Sequence, residues 1–198
     1  MITTHPRRRR TAITLLAAGA LALAGCSTDN DPAQEAASPP ASLETYGIAG
    51  LDAPEIIDTL DTMPVADRPA DLIASVQPTE LSLNNGGEEL ATLPMPDDEF
   101  YLSVAPYENR THSCHFHSLT TCLGEMAGEQ VHVTVTDTTT GQTLVDEPRT
   151  TYDNGFLGLW LPRDITATLT IGHDGKTATS PIATGDQDLT CLTTMQIA

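Results

Sequence analysis

Apolar positions fall into successive regimes along this chain. They run almost unbroken from Thr11 to Gly25, then give way at Ser27–Ser42 to "STDNDPAQEAASPPAS", which is polar, Pro-rich and without periodicity. Such a stretch has no face to bury and reads as a disordered tether. From Leu51 the period becomes helical: Ile56, Ile57, Leu60 and Met63 share one stripe, Pro54 suits a helix start and Pro64 ends it. The next segment repeats the pattern with Leu72, Ile73 and Val76 before Pro78, so the two together predict a small helical hairpin.

After Glu80 the period is two. "ELSLNNGGEELATL" predicts a pair of strands about an Asn84-Asn85-Gly86-Gly87 turn. "EFYLSVAPY", "QVHVTVTD", "QTLVDEP", "FLGLWLP", "DITATLTIGH" and "KTATSPIA" continue as strands, separated by "TTTGQ", "TYDNG" and "HDGK" turns. Short strands at regular spacing with no long helix between them predict a mainly β (α+β) chain. It has a small N-terminal helical region followed by an antiparallel β-sandwich-like domain. The organisation is then a leader at 1–25, a tether at 26–50, the helical region at 51–79 and a β-rich domain at 80–198.

The leader changes the compartment. "MITTHPRRRR" is a basic n-region and "TAITLLAAGALALAGC" an apolar h-region ending in small residues, the pattern of an export signal. Leu23-Ala24-Gly25-Cys26 resembles the lipobox of bacterial lipoproteins, which implies cleavage before Cys26 and lipidation of its thiol. The apolar run is shorter than the roughly 20 residues a spanning helix needs. The expected location is therefore extracytoplasmic, with the mature chain anchored by lipid to the bacterial cell membrane. Removing residues 1–25 leaves 173 residues, with five basic against 27 acidic side chains. That balance excludes nucleic acid as a partner.

Outside the cytoplasm disulfides persist, yet Cys114, Cys122 and Cys191 cannot all pair within one monomer. The stretch "THSCHFHSLTTC", Thr111 to Cys122, adds His112, His115 and His117 to two of these cysteines. Thiolates suit Cu(I) and imidazoles suit copper or zinc, so the donor set is soft to borderline. The eight-residue interval between Cys114 and Cys122 does not match a zinc finger. If residues 111–117 were extended, His112 and Cys114 would lie on one face and His115 and His117 on the other. A turn near Cys114 would instead let Cys114 and His117 close on one ion. Cys191 reaches them only if the last strand lies beside this segment. The residues alone leave open a metal site or a Cys114–Cys122 disulfide. His132 and His173 read as satisfied or solvated, while Met195, Phe156 and Trp160 read as core. No G-x-S-x-G, phosphate loop, H-E-x-x-H or C-x-x-C is present, so no catalytic residue is nominated.

Three separated blocks, "FYLSVAPYENRTHSCHFHSLTTC", "TYDNGFLGLWLPRDI" and "PIATGDQDLTCLTTMQI", resemble the CueP family of extracytoplasmic copper-binding proteins. The resemblance implies a protein that sequesters copper for copper tolerance, a binding protein or metallochaperone rather than an enzyme. It implies copper as the bound ion, Cu(I) foremost with zinc as a substitute, and delivery to a cuproenzyme such as superoxide dismutase as a further role. It places the ligands at Cys114, Cys122 and Cys191 with help from His115, His117 and, last, His112. It also implies an N-terminal part that forms a homodimer. The lipobox departs from a freely diffusing periplasmic shuttle. Two other readings stand beside it: thiol-dependent reduction of copper(II) or thiol exchange, and a surface interaction domain stapled by one disulfide.

Overall fold

The structure is a computed structural model that describes residues 41–198. The leader, Cys26 and most of the tether lie outside the described residues. A single helical turn, α1 (Ala41–Glu44), precedes α2 (Ala53–Asp61). The start of α2 is written in its sequence: Asp52 accepts from the Glu55 amide, the Glu55 side chain accepts from the Asp52 amide, and Pro54 sits in the first turn. Its apolar stripe buries Ile56, Ile57 and Leu60 completely.

The second half of the expected helical hairpin does not form. A short 3₁₀ turn occupies Val65–Asp67, and β1 (Ile73–Val76) follows. The reason lies in the run itself, where Leu72, Ala74 and Val76 are fully buried while Ile73 between them is exposed. That is period two. Over so few residues the helical and strand spacings coincide, and pairing with a neighbour decides between them.

The strands that follow are β2 (Glu80–Asn84), β3 (Glu89–Pro94), β4 (Glu99–Tyr107), β5 (His117–Ser118), β6 (Gln130–Asp137) and β7 (Thr143–Thr150). The chain closes with β8 (Leu157–Pro162), β9 (Thr166–His173), β10 (Lys176–Ala183) and β11 (Cys191–Gln196). They form three sheets with orders β3-β2-β1-β5, β10-β9-β6-β7 and β11-β4-β8. The expected hairpin at Asn84–Gly87 is present, with the Asn84 and Asn85 side chains accepting from the amides of Gly86 and Glu88. One pairing breaks the antiparallel rule, because β11 runs parallel to β4.

The β11-β4-β8 sheet is the middle layer. Phe100, Leu102 and Val104 of β4 and Leu157, Leu159 and Leu161 of β8 face Val131, Val133, Val135, Leu169 and Ile171 of the four-stranded β6/β9 sheet across the main core. The opposite face carries Tyr101 and packs, with α2, β1 and β2, on a second core. Covered on both sides, β4 is buried at nearly every position, which is why "FYLSVAP" lacks the alternation of a half-exposed strand. Trp160 belongs to this second core, beside Tyr101 at 4.8 Å, rather than to the sandwich interior.

Truncating the middle layer is expected to be costly. Leu159→Ala should lower unfolding free energy by about 2–5 kcal/mol in urea titration, whereas Glu147→Ala on exposed β7 should stay within about 0.5 kcal/mol. Equal effects of the two would contradict the layering described.

Candidate metal centre

Three distant segments deliver the sulfurs. Cys114 lies in the loop between β4 and β5, Cys122 in the loop after β5, and Cys191 opens β11. The parallel pairing of β11 with β4 carries Cys191 beside the histidine-rich segment, where the amides of Thr190 and Cys191 both donate to the His115 carbonyl. The Thr190 hydroxyl accepts from the His117 amide and donates to Val76, tying β5, β1 and the start of β11 together. The result is a cluster in which the Sγ atoms of Cys114, Cys122 and Cys191 all lie within 4.8 Å of one another.

The disulfide partner differs from the short-loop alternative. Cys114 bonds Cys191, 77 residues away, and Cys122 keeps its thiol 3.7 Å from the Cys114 sulfur. The register of β11 presents Cys191 with a Cα–Cα distance of 5.6 Å to Cys114, suited to a disulfide. Phe156, fully buried, joins Ala105 and Cys191 in a small apolar group with Cys114 and Cys122 packed against it. It therefore walls the sulfur cluster rather than filling the sandwich core.

Among the described residues, His117 is the one histidine buried with the sulfurs. Its Nδ1 lies 3.8 Å from the Cys191 sulfur, its ring packs on Phe156 at 4.6 Å, and its Nε2 lies 3.0 Å from Asp61 Oδ1. His115 is exposed, its ring against Phe116, and lines a separate cleft between β9, β10 and β11. His112 is also exposed and lines a cleft of about 420 Å³ that reaches Cys114. Residues 111–116 are not a strand, so alternation does not sort these side chains.

Beneath the cluster lies a charged hub absent from the expected site. Asp61, at the end of α2 and wholly buried, accepts from Asn154 Nδ2 at 2.9 Å and from the Tyr101 hydroxyl at 2.6 Å, besides facing His117. Arg68, likewise buried, donates to the Asp61 backbone carbonyl at 3.0 Å with its guanidinium 3.8 Å from the carboxylate. Burial opposes the charge on Asp61, but the hydrogen bond and charge of His117, with Tyr101 and Asn154, hold its carboxyl below the usual range. Burial likewise opposes charging His117, yet Asp61 and Cys122 together push it up to about 9. The same imidazolium outweighs burial at Cys122 and holds that thiol below its ordinary value. A signal for Asp61 existed: it follows Ile57 by four residues and so puts a carboxylate on the apolar stripe of α2.

A second carboxylate fixes the loops. Glu125, three residues beyond Cys122, accepts from the amides of Glu108 and Asn109 at 2.8 Å and of Arg110 at 3.3 Å. Gly155, at φ +77°, lets the β7–β8 turn lie against Gly124, where a Cβ on either would strike the other's backbone. The Gly124 amide donates to Asn154 across that contact, bringing the Cys122 loop and Asn154 together.

With this geometry in place, the chain matches, over residues 55–196, the sequence model of a family described as "Periplasmic copper-binding protein CueP". The chain belongs to the CueP family. A solved structure titled "Crystal Structure of S.CueP" is similar at 44% identity with a TM-score of 0.75, covering 82% of this chain and 99% of that one. No curated protein matches the chain. The CueP match takes in α2 from Glu55 onward, the sulfur-bearing loops and β11, so Asp61 and the cysteines Cys114, Cys122 and Cys191 all fall within it.

Two outcomes test the supports of the centre. Asp61→Ala strands three buried donors and should cost about 3–5 kcal/mol of stability in urea titration of the disulfide-bonded protein. An effect below about 1 kcal/mol would show that the hub is not structural. Hydrogen bonds from the Asn109 amide, and then from its neighbours, pull the Glu125 carboxyl down to about 2 from about 4.5. The stabilisation is therefore complete above pH 4.5 and is lost as pH falls through 2. The protection factors of the amides of residues 108–110, taken against their intrinsic exchange rates at each pH, should fall across that window, and Glu125→Gln should lower them already at pH 7. Unchanged protection in Glu125→Gln would refute the clamp.

Proposed function

We propose that this protein holds copper outside the cytoplasm, as a binding protein rather than an enzyme, with Cu(I) seated among the sulfurs of Cys114, Cys122 and Cys191. The observation that carries this reading is the convergence of those sulfurs within 4.8 Å from three separate parts of the chain. Family membership supports copper over zinc, and a set of three sulfurs with a buried imidazole at its edge is one that Cu(I) accepts. His117 Nδ1 faces the cluster and is the histidine best placed to assist. His112, on the cleft that reaches Cys114, is suited to first contact with an incoming ion, and His115 is the least favoured of the three.

The Cys114–Cys191 bond makes loading a redox matter. Two electrons from a dithiol open the disulfide, and all three thiolates then become available. The same bond favours a second reading: two Cu(II) ions take one electron each from the Cys114 and Cys191 thiols, which release two protons to solvent and join as this disulfide, and the copper leaves or remains as Cu(I). Lipid attachment at Cys26 would tether the site to the membrane. Dimerisation through the helical region and transfer to a cuproenzyme such as superoxide dismutase are further parts of the proposal, resting on the family resemblance.

Anaerobic titration with Cu(I) against a chromophoric competitor, with thiols counted before and after, tests the site. The reduced protein should bind one Cu(I) and mask three thiols. Cys122→Ser and Cys191→Ser should each lose more than the roughly 10–100-fold that removal of an outer hydrogen-bond partner costs. Full affinity in a triple Cys→Ser variant would overturn the proposal.

A further inference from the structure

Among the described residues, one buried side-chain oxygen or nitrogen has no hydrogen-bond partner: Oγ of Ser103, in a residue with no solvent exposure. Polar groups so placed are nearly always paired, because an unmade hydrogen bond cannot be replaced by bulk water. Ser103 sits in β4, in direct register with Cys191 of the parallel strand β11. Register partners in parallel strands project their side chains to the same face, with the strands about 4.8 Å apart. That face is the one bearing the centre. Two residues before Ser103, Tyr101 bonds Asp61, and two residues after it, Ala105 packs with Cys191 and Phe156. On the other side Ser103 pairs with Gly158, which offers no side chain, and its amide already donates to Thr190.

The hydroxyl therefore lies beside a cysteine whose sulfur is at present committed to Cys114. A disulfide sulfur is a feeble acceptor, whereas a thiolate is a strong one and can turn about its Cα–Cβ bond. We propose that Ser103 is a positioning residue for the reduced centre, its hydroxyl donating to the Cys191 thiolate and so favouring the open, metal-competent form over the disulfide. This deepens the copper reading above and rests on it for its purpose. The step it biases is an exchange with a small dithiol. Two electrons pass from the dithiol, which closes to a cyclic disulfide, into the Cys114–Cys191 bond, and its two protons go to the released sulfurs or to solvent. Ser103 gains its partner only on the reduced side. On the oxidised side its unpaired hydroxyl is a cost.

The test is a metal-free equilibrium of the protein with reduced and oxidised dithiothreitol, read by thiol trapping, beside urea unfolding of each redox form. Ser103→Ala should shift the equilibrium about tenfold toward the disulfide, the worth of one hydrogen bond to a charged group. The oxidised form of the variant should at the same time become more stable than its parent. Ser103→Thr, which keeps the hydroxyl, should leave the equilibrium near the parent's. An unchanged equilibrium in Ser103→Ala, or equal stability changes in both redox forms, would overturn the proposal and make Ser103 a packing residue. Because no copper is present, this result is separate from the Cu(I) titration. Failure of the parent to bind copper would remove the metal reading while leaving the hydrogen bond standing, and binding without a redox shift would remove Ser103 alone.

Discussion

The buried carboxylate of Asp61 is the point on which the centre rests. Taking such a charge out of water is prohibitive unless partners surround it, and its partners come from four parts of the chain: Tyr101 in β4, His117 in β5, Asn154 in the β7–β8 turn and Arg68 after the 3₁₀ turn. Satisfying Asp61 therefore forces α2, the middle sheet and the cysteine loops into one arrangement. The electrostatic consequence passes directly to the sulfurs. Asp61 keeps His117 charged, and His117 in turn favours the Cys122 thiolate.

Layering explains why this hub can be so dry. The β11-β4-β8 sheet gives one face to the main core and the other to the second core, so the centre grows from a surface already shielded by α2 and β1. The parallel β11–β4 pair is the structural device that matters for chemistry. It returns the C-terminal strand beside β4, and with it Cys191 to Cys114 and Ser103. An antiparallel meander of sequential neighbours would have left the third sulfur elsewhere.

The strand pattern after Glu80 was legible because period-two alternation and Asn/Gly turns state their own geometry, as the Asn84–Gly87 hairpin shows. The segment from Leu72 to Val76 was misread because four or five residues fit helical and strand spacing alike, and only its pairing with β2 and β5 resolves them. Phe156 and Trp160 were recognisable as buried, but not which core each would enter, since a sheet covered on both faces has no polar side to mark direction.

What the sequence determined by itself was local: a capped helix at Asp52–Asp61, a succession of short strands, and a reserve of soft donors with an odd number of cysteines in a chain resembling CueP. Tertiary structure decided everything that depends on distance between remote residues. It chose Cys191 over Cys122 as the partner of Cys114, selected His117 from three neighbouring histidines, and recruited Asp61 from 53 positions before the first of these sulfurs. The physical reason is that pairing register and burial are properties of contacts between segments. Alternation along one segment can say which residues share a face, but not which face it will meet.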